Sequence, residues 1–143
     1  MVPPMIKNFN NEVLVSIPDQ GYIADVLKLN LPQIGNLPVV PIGFHPFRLV
    51  INMDIVDTSR QNTVTQKFIP PIEIRVHYTQ ADLAIASAAR RNLCLGFWDG
   101  TRWLRFTTKK HYFRLEPDPN PINGGWAIIS ITHWGDPTLA FGT

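Results

Sequence analysis

A single cysteine, Cys94, is all the chain contains. No intrachain disulfide can form, and such usage leans toward a reducing compartment without excluding secretion. Cys94 sits in the apolar run LCLGF, where a cysteine behaves as a small hydrophobe. Long apolar runs are also missing. None approaches the ~20 residues of a membrane helix, and the opening MVPPMIKNFN has no apolar stretch of the signal-peptide kind. No membrane insertion is expected. The localisation is left as cell-surface or extracellular if the chain is a module of a larger bacterial protein, and cytoplasmic otherwise.

Charge is sparse too. Charged residues make up 17% of 143 residues, and 13 basic against 11 acidic side chains leave a net charge of +2. Only Lys109–Lys110 and Arg90–Arg91 are basic neighbours, so no basic stripe of the kind a phosphate backbone requires is present, and nucleic acid is not an expected partner. Low charge with 45% hydrophobic residues excludes a disordered segment and supplies a core. The chain also lacks GxSxG, GxGxxG and GxxxxGK[ST], and it has no HxH, HExxH or CxxC. No nucleophile elbow, phosphate loop, metal site or cofactor is signalled.

What is there is punctuation and alternation. Thirteen prolines and nine glycines leave few windows long enough for a helix. Between them apolar residues recur at period two. VLVSI places Val13, Val15 and Ile17 on one side; ADVLKLNL places Val26 opposite Leu27, Leu29 and Leu31. FRLVINMDI sets Phe47, Leu49, Ile51, Met53 and Ile55 against Arg48, Asn52 and Asp54. PPIEIRVHY points Ile72, Ile74, Val76 and Tyr78 inward, with Pro70–Pro71 suited to the entry of an outer strand that could pair between chains. LCLGFW and TRWLRF flank Asp99–Gly100, a strong hairpin signal. KKHYFRLEP reads as a strand and WAIISITHW as the last long one, with TLAFGT a short strand or ordered coil. TQADLAIASAARR is the helix candidate, one or two turns, with Thr79 and Asp82 spaced as a capping box. The expected fold is an all-β, antiparallel two-sheet β-sandwich of seven to nine strands with one short helix, a single domain over 1–143.

The residues that could carry chemistry are few. His45, His77, His111 and His133 are scattered, with His77 and His111 placed in strands, and ordinary surface or core roles account for them. Asp57, Asp99, Asp118 and Asp136 lie in or beside turns, where aspartate bonds its own backbone. Trp98, Trp103 and Trp126 are the candidate ligand-binding aromatics. Exposed in one strip they would stack on a sugar; buried, they pack a hairpin and a core.

The ordered runs VLVSIP, GFHPFRLVINMDI, FIPPIEIRVHYTQADL, LCLGFWDGTRWLRF and ISITHWGDPTLAFG resemble the ZU5-like β-sandwich domains. Those modules occur in ankyrins, netrin receptors, death-domain scaffolds and many bacterial multidomain proteins. The resemblance implies a binding or scaffold module with a protein partner. It also points to one place. Some members break their own chain before the serine of a His-Phe-Ser motif, where this chain has His133-Trp134-Gly135 preceded by Thr132. Such an N-to-O shift needs a hydroxyl nucleophile and a proton acceptor. Gly135 has none to offer, and Thr132 would have to attack a different bond. The expectation is therefore a non-catalytic module with no catalytic residue, acting by protein contact or as a spacer. A carbohydrate-binding module and an autoproteolytic domain are the alternatives.

Overall fold

A computed structural model describes residues 5–18, 24–31, 44–57, 63–64, 68, 70–98, 102–133 and 138–143. The elements in chain order are β1 (Met5–Phe9), β2 (Val13–Ile17), β3 (Ala24–Lys28), β4 (Pro46–Asp57), β5 (Thr63–Val64), β6 (Ile72–Tyr78), α1 (Gln80–Ala88), β7 (Cys94–Trp98), β8 (Trp103–Arg105), the single-turn α2 (Thr108–His111), β9 (Arg114–Pro117), β10 (Gly125–Ile131) and β11 (Thr138–Gly142). They form two antiparallel sheets, β1-β2-β6-β10-β9 and β3-β4-β11-β7-β8, with β5 paired to β4. This is the all-β, two-sheet sandwich that the alternation predicts, with eleven strands among the described residues where seven to nine were expected. No helix among the described residues is long and apolar enough to cross a membrane.

The core fills from alternate positions of both sheets. Val13, Val15 and Ile17 of β2, and Ile72, Ile74, Val76 and Tyr78 of β6, are buried against Ala127, Ile129 and Ile131 of β10. From the facing sheet come Ile51, Met53 and Ile55 of β4, Leu95 and Phe97 of β7, and Leu139 and Phe141 of β11. Each such side chain, fully buried, contributes about 1.5–3 kcal/mol.

Several local expectations are corrected. The strand after Pro70–Pro71 is not an outer one: β6 is the middle of its sheet, bonded to β2 and β10. The prolines stop short of Ile72, so both ladders keep their donors, and this strand has no free edge for pairing between chains. In KKHYF the chain makes a helical turn instead of a strand. Thr107 Oγ1 accepts from the Lys110 N–H at 3.1 Å, and Tyr112 ends the turn at φ 53°; His111 therefore lies on α2, and only Arg114–Pro117 is strand. On β3 the alternation holds as read, with Val26 buried and Leu27 44% exposed opposite it; Leu31, past the end of the strand, is 45% exposed. Of the two readings of the tail, the short strand is the one that forms. β11 is the central strand of the second sheet, between β4 and β7, and all five of its residues are buried.

β4 does not keep one face. Its register against β11 shifts between Leu139 and Ala140 and again between Phe141 and Gly142, so the first extra residue reverses the alternation for Leu49 and Arg48 and the second restores it. Leu49 comes to lie opposite Ala140 and packs with Phe44, Cys94, Trp103 and Ala140 in a second cluster. Arg48, expected outside, comes opposite Phe141 and stacks on its ring at 5.0 Å.

Helix α1 runs longer than expected, nine residues, and carries the predicted capping box. The Asp82 N–H donates to Thr79 Oγ1, and the Thr79 N–H donates to Asp82 Oδ2 at 2.8 Å. Asp82 is 2% exposed. It accepts both Arg48 Nε, at 2.9 Å, and Arg48 Nη2, at 2.6 Å. A strand of one sheet is thus bolted to the helix that leaves the other.

Candidate functional site

The end of β10 is where the sequence places its most specific stretch. β10 pairs with β6 as far as Ile131↔Ile72. The next carbonyl, of Thr132, accepts from the Phe68 N–H, which ties the strand's exit to the segment ahead of Pro70. Thr132 and His133 are exposed there, with Thr132 Oγ1 3.4 Å from His133 Nδ1. A Thr132 attack would fall on the carbonyl of Ile131, the last ladder residue, which is 3% exposed. Trp134 and Gly135 lie outside the described residues.

α2 closes over this exit. With Pro71, Ser130, Ile131, Thr132 and His133, the α2 residues Lys110 and His111 and the following Tyr112 line a cavity of about 200 Å³. The His111 ring stands edge-on to Phe106 at 4.8 Å and to Phe97 at 5.9 Å, and its Nδ1 accepts from the Thr107 N–H at 3.5 Å. Burial, then the charges of Lys110 and His133, hold the His111 imidazole below its usual pKa. Tyr112, in the left-handed conformation, is 66% exposed at the rim. The residues lining this cavity carry an ammonium, two imidazoles and three hydroxyls among largely apolar walls, with no carboxylate among those described.

The three tryptophans are not brought together. Trp98 and Trp103 are cross-strand partners on the outer face of the second sheet, edge to face at 5.6 Å. Phe44 lies over that face. It is 1% exposed, 5.9 Å from Trp103, and seated where Gly96 and Gly142 have no Cβ. Trp103 is only 2% exposed, and its buried Nε1 has no acceptor among the described residues. Trp126 stands on the outer face of the other sheet, beside His77 at 5.3 Å. A single stacking strip for a sugar is not formed by these three.

Sequence reasoning located Thr132 and His133 but not Lys110, His111 and Tyr112 around them. The signal was the Thr107 cap ahead of a short polar run, which read as the start of a strand. Among the described residues no group of three or more His, Cys, Asp or Glu is placed to hold a metal ion. Cys94 is buried, donates to the Gly142 carbonyl at 3.4 Å, and burial pushes its thiol pKa up, a packing role. Comparison of the chain with family models, with curated proteins and with solved structures gives no match in any of the three.

Proposed function

We propose that the chain is a non-catalytic, ZU5-like β-sandwich module that works through protein contact. The observation that carries the reading is one side of the sandwich. β1 and β3 end the two sheets, and Lys7 reaches Asp25 at 3.2 Å, so the two edges lie side by side. Among the described residues no strand pairs with the outer side of either. Ile6 on β1 is 63% and Leu27 on β3 44% exposed, and Leu31, three residues past β3, is 45% exposed. Open strand edges carrying apolar side chains are templates for pairing with another chain, and a cluster of exposed apolar residues marks an interaction surface. The half-exposed Lys7–Asp25 pair adds little stability.

The ordered sequence runs that resemble ZU5-like domains support the module reading. Gly135, standing where self-processing relatives need a hydroxyl, supports its non-catalytic half. The test places a photo-crosslinking residue at Ile6 or Leu27, and at Arg114 on the far edge as a control. Crosslinks to one discrete protein from positions 6 and 27, and not from 114, are expected. Equal labelling from all three positions, or none from 6 and 27, would contradict the proposal.

A further inference from the structure

The cavity under α2 has a chemistry that the edge surface does not use. Its polar groups come from three places in the chain: Lys110, His111 and Tyr112 from α2 and its end, Ser130 from β10, and Thr132 and His133 from the strand's exit. Nearly all of them can donate a hydrogen bond. Lysine brings three donors, each imidazole one or two, and each hydroxyl one. A planar carboxylate with two oxygens could not use so many; a tetrahedral oxyanion could. With Nδ1 accepting the Thr107 N–H, the neutral His111 ring carries its proton on Nε2; the protonated ring keeps that donor and gives up the long Thr107 bond. The nearest carboxylate by register, Glu73 opposite Ser130, is turned to Arg75 at 2.8 Å. The remaining walls against His111 are the rings of Phe97 and Phe106. At about 200 Å³ the space suits a small group and falls below the roughly 300–1,000 Å³ of a drug-sized site.

We propose that this cavity binds a phosphate group, free or carried on a small molecule, held by Lys110, His111 and His133 with the hydroxyls of Ser130 and Thr132. Burial first, and then the nearby Lys110 and His133, disfavour the charged His111 ring; a bound anion would offset the second of these.

By linkage, an anion that prefers the protonated imidazole tenfold raises its pKa by about one unit when bound. The test follows the histidine ring resonances by NMR from about pH 5 to 8, spanning the ordinary histidine pKa of ~6.5. Inorganic phosphate is titrated at constant ionic strength, with glycerol phosphate, acetate and chloride as further arms. Saturable shifts of His111 and His133, with the His111 pKa rising by about one unit in phosphate and not in chloride, are expected. Tighter binding of glycerol phosphate than of phosphate would assign the site to an ester, and the reverse to the free ion. Lys110→Gln, on an exposed position of α2, should weaken saturation about tenfold with the fold intact. A linear, non-saturating response would overturn the proposal. So would acetate matching phosphate, or Lys110→Gln leaving the titration unchanged. None of these outcomes depends on the β1–β3 edge, so the two proposals stand or fall apart.

Discussion

Replacing Asp82 with asparagine removes one charge and almost no volume from the joint between the sheets. The carboxylate is 2% exposed and accepts two hydrogen bonds from Arg48 and one from the Thr79 N–H. Asparagine keeps an oxygen for Thr79 but turns an amide donor toward the guanidinium. Losing one partner of a fully buried ion pair costs about 3–5 kcal/mol. Here Arg48 remains 32% exposed, donates to the His77 carbonyl, and keeps its stack on Phe141, so the stranded charge is partly hydrated. We expect Asp82→Asn to cost about 2–3 kcal/mol at neutral pH, which for this chain length lowers Tm by roughly 8 °C.

The pH dependence identifies the cause. Burial alone pushes the Asp82 carboxyl up, but hydrogen bonds from Arg48 and Thr79 and the Arg48 charge outweigh it, leaving the folded pKa below its usual value. A depressed carboxylate contributes stability that is full above its unfolded pKa of ~3.9 and is lost as pH falls through the lower folded value. Urea unfolding of both proteins should therefore show a gap that is constant at neutral pH and narrows below about pH 4. A gap under about 1 kcal/mol at neutral pH, the size of one ordinary hydrogen bond, would refute the reasoning. So would a gap that persists unchanged into acid.

Gly96→Ala puts a Cβ 2.5 Å from the Phe44 ring and 2.7 Å from the Leu104 carbonyl; a loss of about 2 kcal/mol in denaturant unfolding is expected, because the carbonyl cannot move aside. Arg90 ends α1 at φ 57°, its N–H bonded to Ser87 and that of Arg91 to Ala86. This is a Schellman closure on a residue other than glycine, and Arg90→Gly should raise stability by about 1 kcal/mol. Trp103→Phe removes a buried donor that has no partner among the described residues and should cost less than ~1 kcal/mol, while Trp103→Ala costs about 3–5 kcal/mol; calorimetric melts separate the two.

The legible parts of the fold were those buried on one face only. β2 and β6 alternate buried and half-buried residues without a break, so period two stood in the sequence. The Thr79–Asp82 box was equally readable, because a cap needs only its own turn. β11 was readable as a short strand or coil but not as a central strand, since a strand buried on both faces has no alternation to show. The reversal in β4 depends on its register against β11, which no local pattern carries, and so Arg48 was read on the wrong side. α2 is four residues long, too short for a period. For the site, Thr132 and His133 stood out by type, but Lys110 and His111 reach them only through the β9–β10 pairing, a contact of topology and not of spacing.

The claim that matters most is that this fold works by contact and not by breaking its own chain at His133. The direct measurement is the intact mass of purified protein, followed through prolonged incubation at neutral and mildly alkaline pH. The account predicts a single, unchanged mass. Two fragments summing to the parent, or to the parent plus one water, with the break beside His133, would contradict it and make Thr132 the first residue to replace.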